Sequence, residues 1–239
     1  MTPIRPFIVS LAAAAAAGAA HADLSLLDAS MYPSIVAGGD HAVVGGVDFS
    51  ASALHAPPNN FVVKTLYGQS GLGVTGGRTN DEIDVDETIT MSWTGGLTIT
   101  SFSVAVLFNG PEYADWAEIA QVKAYNGATL VATGLLQVDA SSDSLASFTG
   151  TGFGSVTNLA LADASHGGAW SVANPFGSTA VTRLEFTAVT SSLCGNPSCT
   201  NQSDFTLSTV SAVPEPQSIA LMLAGLGAVG FVARRRRLA

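Results

Sequence analysis

Alternation at a period of two residues constrains this chain more than any other feature. Between residues 81 and 93 the odd positions carry Ile83, Val85, Ile89, Met91 and Trp93, interrupted only by Glu87. The even positions carry Glu82, Asp84, Asp86, Thr88, Thr90 and Ser92. A pleated strand sends these two sets to opposite faces, so the stretch predicts a half-buried strand. The period recurs over 97–108, with Phe102, Val104, Val106 and Phe108 on one face. It is cleanest over 181–189, where Leu184, Phe186 and Ala188 point in and Arg183, Glu185 and Thr187 point out. Further strands are predicted near 46–50 and over 61–67, 118–125, 129–138, 144–149, 156–161 and 205–210. Asn126-Gly127 lies between two alternating runs and is a hairpin signal. Helical periodicity is almost absent, and the intervening segments are rich in Gly, Asn, Pro and Asp. The predicted class is all-β: a two-sheet antiparallel sandwich, jelly-roll-like, of about nine to eleven strands.

The two ends read differently. Residues 1–6 hold one positive charge, Arg5, and residues 7–20 are apolar and alanine-rich. Ala20-His21-Ala22 follows as a small-x-small cleavage pattern, so residues 1–22 are predicted to be a signal peptide removed after Ala22. His21 leaves with it and is no site. That route requires the Sec translocon and signal peptidase. At the other end, Pro214-Glu215-Pro216 forms a stiff extended segment, because each proline fixes φ and disfavours helix in the residue before it. Residues 219–233 carry no charge, and Arg234, Arg235, Arg236 and Arg237 follow. Such an apolar run predicts one transmembrane helix over 219–233, with the arginines fixing its cytoplasmic end. At 1.5 Å per residue it spans about 22 Å against a hydrocarbon core of about 30 Å. Gln217, Ser218 and the snorkelling arginine stems make up part of the gap. The short length and Gly225, Gly227 and Gly230 fit a transient anchor. The predicted organisation is therefore a leader (1–22), a body (23–212) and a tail (213–239).

Taken together, Pro214-Glu215-Pro216, the short apolar helix and the terminal arginines resemble the PEP-CTERM sorting signal of Gram-negative envelope proteins. The resemblance covers residues 213–239. It implies handling by an exosortase, a membrane-embedded cysteine transpeptidase-like enzyme that processes the chain near Pro-Glu-Pro. It also implies export, anchoring in the inner membrane during transit, and delivery to the cell surface or an exopolysaccharide matrix. Gly71-Leu72-Gly73-Val74, followed by Asp81-Glu82-Ile83-Asp84 and Glu87-Thr88-Ile89, resembles a pattern in β-sandwich ectodomains that carry this tail.

Charge narrows the partners of the body. Its roughly 190 residues hold 17 acidic side chains and only Lys64, Arg78, Lys123 and Arg183 as cations, a net of −13. Nucleic acid and anionic membrane surfaces both demand basic patches and are excluded as partners. Divalent cations and neutral polysaccharide are compatible with that charge. Cys194 and Cys199 bracket four residues and read as a loop-stapling disulfide in an oxidising compartment. A zinc site would want two more ligands, and no histidine lies nearby.

No catalytic constellation emerges. Gly71-x-Gly73-x-x-Gly76 matches a dinucleotide fingerprint literally, but no helix opens after it and Asp81-Glu82 would repel a pyrophosphate. The body's histidines, His41, His55 and His166, are scattered and read as polar loop residues. Glu112, Asp115 and Glu118 are the candidate carboxylates for glycoside hydrolysis, were they to face a cleft, and the plainer reading is a solvated loop. No enzymatic activity and no cofactor are expected, with Ca²⁺ the one candidate ion. Asp81, Glu82 and Asp84 would be its ligands. Same-face carboxylates about 6.6–7 Å apart cannot share one ion, so Asp40, Asp204 or backbone carbonyls must converge on them. Trp116 and Trp170, beside Tyr113, are the candidates for stacking on sugar, against the alternative of core packing. The expected function is that of an exported, non-enzymatic surface or matrix protein, the alternative being a carbohydrate- or calcium-binding module on the same anchor.

Overall fold

The computed structural model describes residues 23–55, 57–109, 117–150, 154–160, 168–190 and 203–215. In chain order the elements are β1 (Leu24–Leu27), α1 (Tyr32–Ala37), β2 (His41–Val44), β3 (Val47–Ala53), β4 (Phe61–Leu66), β5 (Gln69–Val74) and β6 (Glu87–Ala105). Then come β7 (Ile119–Asn126), β8 (Thr129–Asp139), β9 (Ser142–Gly150), β10 (Ser155–Asn158), β11 (Trp170–Ala173), β12 (Ala180–Ala188) and β13 (Thr206–Pro214). The described residues are mostly strand, and the all-β expectation holds. All thirteen strands join in one antiparallel hydrogen-bonded network, along the order β4-β5-β13-β6-β12-β7-β8-β9.

The 19-residue β6 is the reason the network is continuous. Over its first half it lies between β3 (Phe49 opposite Met91) and β12 (Leu184 opposite Met91). Over its second half β13 replaces β3 (Val210 opposite Phe102), and β11 replaces β12 (Val172 opposite Phe102). The exchange happens around Thr94-Gly95-Gly96, where Gly95 adopts φ of 84°. Glycine reaches that region without a Cβ penalty, so the strand turns there without ending. The sequence pattern predicts two separate strands, over 81–93 and 97–108, whereas the chain forms one.

Inward-facing side chains follow the alternation. Ile89 and Met91 from β6, Leu184 and Phe186 from β12, and Leu207 and Val210 from β13 are all buried. Phe102 sits at the centre, edge-on to Phe186 at 5.6 Å and to Phe148 at 5.9 Å. Each such side chain contributes about 1.5–3 kcal/mol by leaving water. Towards its end β6 is buried on both faces, since Ser103 and Ala105 are covered as well as Phe102 and Val104.

Several boundaries differ from expectation. The strand expected to reach residue 108 ends at Ala105, ahead of Val106 at φ of 60°. The stretch expected to hold one strand, near 46–50, holds β1, α1, β2 and β3. Residues 68–80 read as a glycine-rich loop, yet residues 69–74 form β5, paired with β4 from Phe61–Val74 to Leu66–Gln69. Residues 81–86 read as the start of a strand, yet they form a turn joined to the sheet only by single bridges, Val74 with Glu82 and Ile83 with Phe205. The last predicted strand, 205–210, runs on to Pro214. Among the described residues no helix is long and apolar enough to cross a membrane. The predicted span 219–233 and signal peptide 1–22, with Ala20 and Ala22, lie outside the described residues.

Candidate functional site

Two regions gather the chemically distinctive residues, and the first is the turn before β6. The sequence places Glu82 and Asp84 on an outer, solvated face. The structure corrects this: Glu82 is 2% exposed and Asp84 1%, while Glu87, which falls on the apolar side of the alternation, is 0% exposed as that parity implies. The reason is that residues 81–86 do not continue the pleat, so residue parity no longer decides which way a side chain points. One Asp84 oxygen accepts the backbone N–H groups of Arg78 and Thr79, the latter at 2.9 Å. Its other oxygen is buried without a partner. Glu87 accepts the Asp84 N–H at 2.9 Å and meets His55 Nε2 at 2.7 Å. Lys64, from β4, reaches Glu82 and lies 3.1 Å from Asp81. Asp204, just ahead of β13, is buried and accepts the Thr79 hydroxyl at 2.9 Å.

Glycines make this packing possible. A Cβ on Gly73 would stand 2.2 Å from the Asp81 carbonyl oxygen, and one on Gly71 would stand 2.5 Å from Thr206 Oγ1. A Cβ on Gly76, at φ of 110°, would strike the His55 ring at 2.2 Å. The fingerprint-like spacing of Gly71, Gly73 and Gly76 thus serves close contact between backbone segments, and β5 leads into a turn instead of a helix.

Burial dominates the electrostatics. It raises the Asp84 and Glu87 carboxyls above their ordinary range, outweighing the N–H groups that favour their ionised forms. Asp204 is pushed up to about 10, first by burial and then by the adjacent Glu82 carboxylate. Burial alone would lower the Lys64 ammonium, but its bonds to Glu82 and Asp81 prevail and hold it above the usual lysine range. Among the described residues no group of three or more His, Cys, Asp and Glu side chains is placed to hold a metal ion. The convergence of Asp204 on Glu82 and Asp84 does occur, but Lys64 supplies the positive charge there. Chemically the cluster is a clasp joining β4, the 76–87 turn and the entry to β13, in which Lys64 and His55 are the basic partners. Lys64, His55 and Thr79 carry no motif and were not legible as its members.

Other sequence candidates fall as follows. Trp170 is a correction: it is 1% exposed and donates its indole N–H to the Leu107 carbonyl at 2.9 Å, so it is core and presents no face to a sugar. Its ring covers both halves of the requirement, apolar burial and a satisfied N–H. Glu118 is also buried and accepts the Phe108 N–H, so it is not part of a solvated loop. His55 is tied to Glu87 and is not a free loop residue, while His41 pairs with Asp48 at 3.1 Å on the exposed β2–β3 hairpin. Trp116, Tyr113, Glu112, Asp115, His166, Cys194, Cys199, Pro216 and Arg234 to Arg237 lie outside the described residues.

The second region is the end of β13. Ala212 pairs with Ile99, Val213 with Thr98 and Pro214 with Leu97 of β6. Glu215 folds over the glycine pair at the β6 bend, where a Cβ on Gly96 would stand 2.5 Å from Glu215 Oε1. On the far side of β13, Leu24 of β1 pairs with Ala212. Because that pairing is antiparallel, the start of β1 and the end of β13 leave the sheet at the same end.

This second region coincides with a match to known sequences. The family model of the PEP-CTERM protein-sorting motif matches residues 212–237, so the chain carries that motif and is marked for export and for exosortase recognition. No curated protein and no solved structure matches the chain.

Proposed function

We propose that this chain, marked by its sorting motif as an exosortase target, is a non-enzymatic protein of the Gram-negative cell surface or its exopolysaccharide matrix. Its body is a jelly-roll-like sandwich whose two leaves meet along the bent β6. The leader takes the chain through the Sec translocon and is removed by signal peptidase. The helix over 219–233 then holds the body at the inner membrane, with the arginines inside, until an exosortase processes the chain near Pro214-Glu215-Pro216.

The observation that carries this reading is the placement of the sorting motif at the end of β13, beside the start of β1. The start of β1 and the end of β13 thus lie at one end of the sheet, and the proposed leader and tail join the body there. The body's charge, 17 acids against four cations, disfavours nucleic acid as a partner and is compatible with neutral polysaccharide. Burial of Trp170 removes one of the two stacking residues on which a sugar-binding reading rests.

The test is the intact mass of the protein recovered from its native host. Processing predicts loss of the leader and the tail from the wild type, and a full-length tail retained in the inner membrane when Pro214, Glu215 and Pro216 are replaced by alanine. Surface delivery of that triple variant at normal mature mass would sink the reading.

A further inference from the structure

We propose that the body latches its own sorting motif: residues 213–215 are held against β6, and tail processing requires them to peel away. This rests on the sorting reading above. Val213 and Pro214 stand opposite Thr98 and Leu97 as the last rungs of β13. Glu215 lies over Gly96, close enough that a Cβ there would come within 2.5 Å of its Oε1 and 3.2 Å of its Cδ. The motif thus begins inside the fold, with no linker between the sheet and its first proline.

Distance makes the latch consequential. Between Glu215 and the apolar run at 219–233 lie three residues, 216–218. Fully extended, they reach only about 10 Å. An enzyme embedded in the bilayer must therefore work within that distance of the sheet. Its substrate must lie in an extended form, with the main chain open to the enzyme's own hydrogen bonds. Main-chain groups paired with β6 are not open in that way. Only the peeled fraction is competent, and the observed rate scales with its population.

Two full-length variants test this in the native host, with tail loss followed by pulse-chase and intact mass. The first inserts six Gly/Ser residues between Ala212 and Val213, freeing the motif from the sheet. The second is Gly96→Val, which fills the space under Glu215 where the nearest other atom is the Ala180 Cβ at 3.3 Å. Both are expected to lose the tail faster than the unmodified chain, by roughly threefold or more. The insertion lies two residues before the end of the last strand and leaves the pairs up to Ala212 in place, so it reads the latch even where Gly96→Val misfolds. Equal or slower loss from the spacer variant overturns the latch and leaves the sorting reading standing, because the tail still leaves. A tail that no chain ever loses, the unmodified one included, overturns both.

Discussion

His55 and Glu87 meet at 2.7 Å, Nε2 to Oε1, across a contact in which the glutamate is wholly removed from solvent. The imidazole is the side-chain partner that accompanies this carboxylate into the core. Replacing His55 with alanine leaves one Glu87 oxygen desolvated and unbonded, at a cost of about 1–3 kcal/mol. Urea unfolding of the body should show that loss as a lower midpoint with an unchanged slope. A midpoint within error of wild type would mean the contact contributes nothing.

Lys64 plays the harsher version of the same part. Its ammonium bridges Glu82, which is buried, and Asp81, which is half-buried. Lys64→Met alone strands the Glu82 charge and is expected to cost about 3–5 kcal/mol. The double variant Lys64→Met with Glu82→Leu removes the charge as well as its partner, and should recover most of the loss. Thermal melting of the two proteins side by side decides it: equal destabilisation would show that Glu82 is not stranded.

Asp204 gives the domain an unusual dependence on pH. Its carboxyl is raised from 3.8 to about 10, so the folded state holds that proton more tightly than the unfolded state does. The associated stability is fully present below pH 3.8 and is lost as pH climbs towards 10. Asp84 and Glu87 are raised as well and act in the same sense. Asp28 is lowered and acts oppositely, its contribution fading only as pH falls below its ordinary 3.8. The melting temperature should therefore be higher at about pH 5 than at about pH 8, and Asp204→Asn should flatten that difference. A wild-type melting temperature that rises steadily with pH would refute it.

What could be read from the residues alone follows a physical line. Leu184, Phe186 and Ala188 are buried as their alternation demands, and the Asn126-Gly127 signal does fall at the β7–β8 hairpin, where Asn126 closes β7 opposite Thr129 and Gly127 opens the turn at φ of 59°. Local pattern sufficed there because the three β12 residues lie in a regular strand with neighbours on both sides and the turn needs the positive φ that glycine supplies. It failed at Glu82 and Asp84, where a turn replaces the pleat and backbone N–H groups from Arg78 and Thr79 draw a carboxylate inward. It failed again at Gly95-Gly96, which reads as a break and is instead the bend of one long strand. Leu24–Leu27 is too short to show a period, and its place beside Ala212 comes from a partner nearly the whole chain away. Pro214-Glu215-Pro216 was legible as a motif, but its registration against Leu97 is a fact of tertiary structure.

Gly73 offers the sharpest test of why this body carries its glycines where it does. A methyl group there would meet the Asp81 carbonyl oxygen at 2.2 Å, the Asp81 carbonyl carbon at 2.5 Å and Glu82 Cα at 2.7 Å. All three are backbone atoms, so no rotamer change relieves the clash, and β5 must separate from the turn that delivers Glu82 and Asp84. Gly73→Ala is expected to cost at least the 1–3 kcal/mol typical of overpacking. Gly127→Ala is the control: nothing lies within 4 Å of its Cβ, and the only penalty is its φ of 59°, about 1 kcal/mol. In thermal melts Gly73→Ala should fall well below Gly127→Ala and should also lose the pH dependence assigned to Asp204, because the clasp opens with the turn. If the two variants melted together, close packing of β5 on the acidic turn would not be what holds Glu82 and Asp84 inside.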